Sequence, residues 1–196
     1  IWREMIEMFD SYAKLLNIKF IIMSATLPRL DRLLDEKISN FVTLINDTER
    51  YYKNDLFGKR VNLNYDLLTT KMDIQTLTEE ILKHQGKKIL IECIKKDTAE
   101  ELYKNLKEKI DNVYIMTGDD NKYSRQNIIE KTKKDMAIVL VATQTIEAGV
   151  DIDMDIGFKD ISFIDSEEQF LGRINRSNKK KGCIAYFFDL DDAKTI

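Results

Sequence analysis

Hydrophobic residues follow two different periods along this chain, and the two alternate from residue 61 onward. Some segments are apolar at nearly every position, as at Ile89-Leu90-Ile91, which is typical of a strand that is buried on both faces. Others have an apolar residue every three or four positions, which indicates an amphipathic helix. The strand-like runs lie near residues 61–68, 87–93, 112–117, 137–142, 160–165 and 182–188. The pattern predicts an α/β fold in which a parallel sheet has helices on both faces.

The first 60 residues are organised differently. Helical spacing from Trp2 to Leu16 predicts a helix, and the run Phe20-Ile21-Ile22-Met23 predicts a buried strand. A second amphipathic segment follows from residue 29 and a strand-like run from residue 41, before a polar stretch over residues 46–60. Because the chain starts inside a helical pattern and without a methionine, we expect it to be cut from a larger protein. We therefore predict a terminal helix and strand in residues 1–28, a connecting segment in 29–60 and a complete domain in 61–196.

Composition narrows the class of protein. With 196 residues, 43% hydrophobic and 33% charged, the chain has room for one complete folded domain and a fragment. It has no apolar run of the roughly 20 residues that a membrane span needs, and its first residues lack the pattern of a signal peptide, so we expect a cytoplasmic protein without a membrane partner. Both cysteines lie in apolar runs and His84 is the only histidine, so we predict no metal site and no Ser-His-Asp hydrolase. The net charge of −3 leaves a local basic groove possible.

Polar residues follow several of the predicted strands, at the sheet edge where ligands of parallel sheets bind. The segments are Ser24-Ala25-Thr26, Lys95-Lys96-Asp97, Thr117-Gly118-Asp119 and Thr143-Gln144-Thr145. For each segment alone, helix capping is the simpler explanation, because turns before helices favour these residue types.

Two arginines near the end of the chain indicate phosphate chemistry. Arg173 and Arg176 are three positions apart on a predicted helix, so both guanidinium groups can point into one cleft. The planar fork of arginine donors suits phosphate oxygens and the charge on a transferring γ-phosphoryl group. The alternative is a solvated helix face with salt bridges to Asp165 or Glu167, and this alternative remains open.

Three segments, in this order and at these separations, resemble motifs III, V and VI of superfamily 2 helicases. They are Ser24 to Pro28, Thr143 to Asp153, and Gln169 to Arg176. The sequence from Glu147 to Asp153 and the Gly-Arg-x-Asn-Arg ending look most like the CRISPR-associated helicase-nuclease of type I interference systems. The resemblance implies that residues 1–28 end a first RecA-like lobe and that residues 61–196 form the second, C-terminal helicase lobe.

The resemblance also implies roles for individual residues. Arg173, Arg176 and Gln169 match catalytic positions, with Arg176 as the arginine finger, and Asp151, Gly149 and Gly172 match nucleotide-binding positions. Thr143, Thr145, Lys95, Gly118 and Arg125 match positions that contact nucleic acid, and Ser24 and Thr26 match the motif that couples hydrolysis to strand binding. One position departs from the family, because Phe170 stands where an arginine is usual.

The family uses ATP and Mg²⁺, and its first lobe supplies the phosphate loop and the magnesium ligands. Neither motif occurs in this sequence, so we expect the chain alone to be inactive as an ATPase. The implied partners are single-stranded DNA, the first lobe and a nuclease domain of the same protein, and an RNA-guided surveillance complex. Two alternatives remain: a lobe of another superfamily 2 DNA or RNA helicase, and a non-catalytic RecA-like binding module.

Overall fold

The computed structural model describes residues 2–23, 42–47, 50, 53–54, 58–147, 149–162 and 164–190. Contacts divide the chain into two compact units, Ile1–Arg50 and Tyr51–Ile196. The division falls inside the predicted connecting segment. None of the helices in the described ranges has the length and hydrophobicity to cross a membrane.

The first unit contains helix α1, Trp2–Leu16, as the helical spacing predicts. The ring of Phe9 on α1 lies 4.8 Å from the ring of Phe20, measured between centroids. The predicted strand Phe20–Met23 is wrong, because these residues form no strand and Phe20, Ile21 and Met23 are exposed. Residues 42–47 form no strand either. An apolar run becomes a strand only beside a second strand that satisfies its backbone groups.

The second unit is built on one parallel sheet of six strands. The strands are β1, Asn62–Asn64; β2, Lys88–Glu92; β3, Val113–Met116; β4, Ile138–Ala142; β5, Ile156–Asp160; and β6, Ile184–Phe188. Their order across the sheet is β1-β6-β5-β2-β4-β3. Ile89 of β2 pairs with Val139 of β4 on one side and with Ile156 of β5 on the other. Hydrogen bonding on both sides makes β2 a central strand.

Helices cover the sheet on both faces. They are α2, Ile74–Leu82; α3, Lys96–Lys107; α4, Lys122–Lys133; and α5, Ile164–Leu171, with 3₁₀ turns at Asp66–Thr69 and Gln144–Ile146. Successive residues of a strand point to opposite faces, so Ile89 and Ile91 join one core with α2 and α3, whereas Leu90 joins the other. The second core also contains Phe170 of α5. The α/β fold with a parallel sheet and helices on both faces is confirmed.

One predicted strand was misplaced. The sequence pattern favoured residues 160–165, but β5 runs from Ile156 to Asp160 and α5 begins at Ile164. Every residue of β5 is buried, including Lys159 at 0% exposure. Hydrophobic periodicity does not find this strand, because a lysine and an aspartate ordinarily mark the surface.

Gly157 of β5 leaves room for the ring of Phe170. A Cβ added at Gly157 would lie 2.8 Å from two ring carbons of Phe170 and 3.0 Å from the Cδ1 of Ile174. We expect Gly157→Ala to lower the free energy of unfolding of the chain by about 1–3 kcal/mol in urea denaturation, because the alanine overpacks this core. Gly118→Ala is the matched control: among the residues that the structure describes, nothing lies within 4 Å of its added Cβ, and we expect a change within about 0.5 kcal/mol. Equal stability of both variants would contradict this account of Gly157.

Candidate functional site

Three loops meet at the carboxyl edge of the sheet, where β2, β3 and β4 end. The Nε2 of Gln144 donates to the carbonyl of Ile94 at 3.2 Å, and the Oγ1 of Thr145 donates to the carbonyl of Met116 at 3.4 Å. Lys96, the first residue of α3, forms an ion pair with Asp119 in the loop that follows β3. Because β4 lies between β2 and β3, these contacts join the loops into one continuous surface, which we call the carboxyl edge.

The predicted nucleic-acid residues all lie at this carboxyl edge. Thr143 is buried and its N–H donates to the carbonyl of Met116, whereas Lys95 and Gly118 are exposed. Arg125 of α4 donates to the carbonyls of Thr117 and Gly118 at 3.0 and 2.9 Å. Arg125 therefore holds the loop after β3 in shape. Its guanidinium makes contacts within the chain, which favours a role in holding this loop over direct contact with a phosphate.

The second group of predicted residues lies at the opposite edge, where the strands begin, which we call the amino edge. The N–H of Asp155 donates to the carbonyl of Lys88, the first residue of β2, at 2.8 Å. Asp151 lies four residues before Asp155, and the Nε of Arg176 is 3.1 Å from its Oδ1. The expectation that ligands bind beyond the carboxyl ends of the strands therefore covers only the first group. The chain after β4 crosses from one edge to the other, so its two ends serve different edges.

Arg173 lies beside Arg176 and is held by the same crossing segment. Its Nε donates to the carbonyl of Ile146 at 3.1 Å and its Nη2 to the carbonyl of Glu147 at 2.6 Å. Burial lowers the pKa of the Arg173 guanidinium, and the positive charge of Arg176 lowers it further. Two guanidinium groups that repel each other favour an anion placed between or beside them.

The two arginines do not share a helix, contrary to the prediction. Helix α5 ends at Leu171, and Arg173 and Arg176 lie in the turns that follow, which we call the arginine turn, residues 172–178. Asn175 has a φ of +46°, a conformation that asparagine tolerates better than most residues, and it is 1% exposed. Its side chain donates to the carbonyls of Arg60 and Lys180 and accepts from the N–H of Lys180. Asn175 therefore fixes the turn by hydrogen bonds that helical spacing does not reveal.

Asp153 holds the arginine turn through two hydrogen bonds. Its two oxygens accept from the N–H of Arg176 at 2.9 Å and from the hydroxyl of Ser177 at 2.6 Å. Burial acts to raise the pKa of Asp153, but the hydrogen bond from Ser177 and the charge of Lys180 outweigh it and hold the pKa below its ordinary value. Asp153 is therefore an ionised anchor, and Asp151 remains the acidic side chain that faces solvent.

The remaining predicted residues lie around the arginine turn. Gln169 is partly exposed in the last turn of α5, and Gly172 follows the helix directly. Gly149 has a φ of +71°, which a side chain disfavours, at the point where the chain crosses between the edges. Phe170 is fully buried, so the position that is usually arginine serves the hydrophobic core in this chain. Ser24 and Thr26 lie outside the described residues.

Sequence reasoning did not identify four residues that are linked by side-chain contacts near the carboxyl ends of β2 and β5. Glu92 at the end of β2 and Lys159 on β5 form an ion pair at 0% side-chain exposure. Lys159 also donates to the hydroxyl of Ser166 on α5 at 2.9 Å, and that hydroxyl donates to a carboxylate oxygen of Glu147. We call these residues the buried series. The signal in the sequence was Lys159, a lysine inside a buried strand. Hydrophobic periodicity missed it because a lysine ordinarily marks the surface.

Burial dominates the electrostatics of this series. It raises the pKa of Glu92 to about 7 in spite of the ion pair with Lys159, and the nearby charge of Glu147 acts in the same direction. The second carboxylate oxygen of Glu92 is buried and accepts no hydrogen bond from the described part of the chain. The charges of Glu92 and Lys159 are thus costly to bury, and core packing alone does not explain why they lie inside the sheet.

The sheet and the helices on both of its faces form a RecA-like fold, similar to that of helicase C-terminal domains. The family model described as "CRISPR-associated nuclease/helicase Cas3, C-terminal" matches residues 85–179. The chain is 32% identical over 116 residues to the CRISPR-associated nuclease/helicase Cas3 of Methanothermobacter thermautotrophicus, covering 57% of this chain and 14% of that protein. This lobe resembles the C-terminal helicase lobe of Cas3.

Other similarities extend to RNA helicases and solved structures. A putative DEAD-box RNA helicase of Trypanosoma brucei brucei is 25% identical over 170 residues, covering 84% of this chain and 29% of that protein. The fold matches T. fusca Cas3 bound to ADP with a TM-score of 0.57, at 18% identity, over 69% of this chain and 19% of that one. It matches the C-terminal domain of the DEAD-box protein Dbp5 with a TM-score of 0.55, at 20% identity, over 68% and 77%. The chain thus spans a minor part of its curated relatives.

Proposed function

We propose that this chain is the C-terminal motor lobe of an ATP-dependent DNA helicase that feeds DNA to an associated nuclease in CRISPR type I antiviral defence. The observation that carries the proposal is the pairing of Arg176 with Asp151 beside Arg173 at the amino edge. A guanidinium pair of this kind suits the γ-phosphate of ATP, and Arg176 is the arginine finger of this proposal. Nuclease activity, recruitment by an RNA-guided surveillance complex and a cytoplasmic location are parts of the same proposal.

The amino edge supplies one side of the nucleotide site. When ATP and Mg²⁺ are bound by a first lobe, the metal neutralises charge on the phosphates. On this lobe, Arg176 leaves Asp151 and reaches the γ-phosphoryl group, while Arg173 holds the crossing segment in place through two carbonyls. Gln169 orients the attacking water, Asp151 contacts the ribose, and Gly149 and Gly172 let the backbone come close.

The carboxyl edge supplies the nucleic-acid contacts of this proposal. Thr143 and Thr145 lie where β4 ends, with Lys95 and Gly118 on the loops beside them. Contacts from backbone amides, hydroxyls and a lysine to phosphates carry no sequence information, so the lobe binds single strands of any sequence. Ser24 and Thr26 are assigned to the coupling of hydrolysis to strand binding.

A second candidate is an RNA helicase, which the similarity to the trypanosome DEAD-box protein favours. The two candidates are separated by measuring ATP hydrolysis by the full-length protein with single-stranded DNA and with RNA of the same sequence. We expect DNA to stimulate hydrolysis more strongly than RNA, and the purified 196-residue chain to hydrolyse no ATP above background. Stronger stimulation by RNA would favour the second candidate. Hydrolysis by the chain alone would overturn the assignment of the phosphate loop to another lobe.

A further inference from the structure

The buried series, Glu92, Lys159, Ser166 and Glu147, lies near the carboxyl ends of β2 and β5 and reaches the arginine turn through the guanidinium of Arg173. At one end, Glu92 is the last residue of β2, and two positions later the carbonyl of Ile94 accepts a hydrogen bond from Gln144 at the carboxyl edge. At the other end, Glu147 lies on the crossing segment, and its carbonyl accepts from Arg173. The series thus begins beside the predicted nucleic-acid contacts and ends on a residue that holds an arginine of the nucleotide site.

Glu147 is the residue at which the buried series meets the arginine turn. Ser166 of α5 binds its carboxylate, and Arg173 of the arginine turn binds its backbone carbonyl. A shift of Glu147 therefore moves Arg173 as well, because the hydrogen bond to Glu147 measures 2.6 Å and leaves little slack. Ser166 accepts in turn a hydrogen bond from Lys159, which lies on β5 beside Glu92 of β2.

A purely structural explanation of the series is weak. Buried ion pairs can often be replaced by apolar residues of similar volume with no loss of stability, so stability alone gives no reason to keep one. The ion pair here is extended by a hydroxyl to a partly exposed carboxylate on another segment. That extension is what a positioning role requires and a packing role does not.

We infer that Lys159 and Ser166 are positioning residues that transmit nucleic-acid binding at the carboxyl edge to the arginine turn at the amino edge. The inference rests on the proposed function of the two edges. Binding of a nucleic-acid strand moves the loop after β2, and the buried series fixes the position of Glu147 relative to that loop. Glu147 in turn sets the positions of Arg173 and its neighbour Arg176. The lobe then presents Arg173 and Arg176 to ATP only when a nucleic-acid strand is bound.

The test is Ser166→Ala in the full-length helicase, because this change cuts the series and leaves the ion pair of Glu92 and Lys159 intact. We expect the ratio of strand-stimulated to unstimulated ATP turnover to fall about tenfold, a coupling loss of the usual size, with the KM for ATP changed less than twofold. Ser166→Thr keeps the hydroxyl and should restore most of the ratio. Hydrogen exchange at the amides of Ile146 and Glu147 should become faster in Ser166→Ala, while exchange in β2 and β5 stays unchanged.

Arg176→Ala, measured in parallel, separates failure of this inference from failure of the proposed function. If Arg176→Ala is inactive while Ser166→Ala keeps the wild-type stimulation ratio, the coupling role is overturned and the proposed function stands. If Arg176→Ala keeps wild-type turnover, the proposed function is overturned. Should Ser166→Ala expose the amides of β2 and β5 to exchange, Glu147→Gln replaces it as the variant, because it weakens the same link from a partly exposed side chain. An unchanged ratio in that variant also overturns the inference.

Discussion

Replacing Arg176 with alanine is expected to lower the ATP turnover of the proposed full-length helicase by about a thousandfold, the usual effect of losing an arginine finger. The structural cost of the change is small. Arg176 is 45% exposed and its partner Asp151 is 74% exposed, and an ion pair as open as this one stabilises a protein by less than about 1 kcal/mol. The hydrogen bond from residue 176 to Asp153 comes from the backbone and survives the substitution. A large loss of turnover would therefore reflect a loss of catalysis and not a loss of folding stability.

Two further variants sharpen this result. Arg176→Lys keeps the charge but loses the planar fork, so we expect it to recover only a minor part of the turnover. Lys181→Ala removes an exposed cation five positions away and should behave as the wild type. Steady-state ATP hydrolysis with saturating single-stranded DNA measures all three. Near-normal turnover in Arg176→Ala would identify the lobe as a binding module, the reading in which the arginine turn only makes surface salt bridges.

The second large effect concerns the buried pair in the sheet. We expect Glu92→Leu to lower the free energy of unfolding of the chain by about 3–5 kcal/mol, because it leaves the ammonium group of Lys159 buried without an opposite charge. Lys159→Met should cost less. The carboxyl group that remains can hold a proton, since burial already raises the pKa of Glu92 to about 7, and a neutral carboxyl is cheaper to bury than an ammonium ion. Urea denaturation at pH 6 measures both variants.

The double variant Glu92→Leu with Lys159→Met is the matched control. It replaces the ion pair with apolar side chains of similar volume, and we expect its stability to lie close to that of the wild type. A double-mutant cycle then gives the interaction between the two residues directly. If the single variants are as stable as the double variant, the two side chains are not the buried ion pair described above. The double variant should still lose the hydrogen bond from Lys159 to Ser166. It therefore separates the effect of the pair on stability from its effect on the stimulation of ATP turnover by nucleic acid.

Much of the sheet was predictable from sequence because its strands are apolar at nearly every position. Five of the six strand-like runs from residue 61 onward contain the observed strands, from Asn62–Asn64 to Ile184–Phe188. The exception is β5, where Gly157, Lys159 and Asp160 interrupt the apolar pattern. Each interruption has a partner far along the chain: Gly157 admits the ring of Phe170, Lys159 meets Glu92, and Asp160 accepts the N–H of Ile94. Local periodicity contains no information about such partners.

The candidate site divides in the same way. The sequence supplied its residue types, because the order and spacing of Thr143 to Asp153 and of Gln169 to Arg176 resemble helicase motifs, and arginine forks beside a carboxylate suit a triphosphate. It assigned the two arginines to a helix, since spacing alone does not show that α5 ends at Leu171. Only the folded chain separates the carboxyl edge from the amino edge.

By itself, then, the sequence determined the parallel sheet, the helices on its faces and the residues that resemble a motor. Those features depend on hydrophobic burial and on local hydrogen bonding, which act between neighbours in the chain. The tertiary structure decided which edge each residue serves, the shape of the arginine turn and the existence of the buried series. Those features depend on the desolvation and pairing of charges that lie 67 positions apart in sequence, as Glu92 and Lys159 do, and such pairs form only when the sheet brings their strands together.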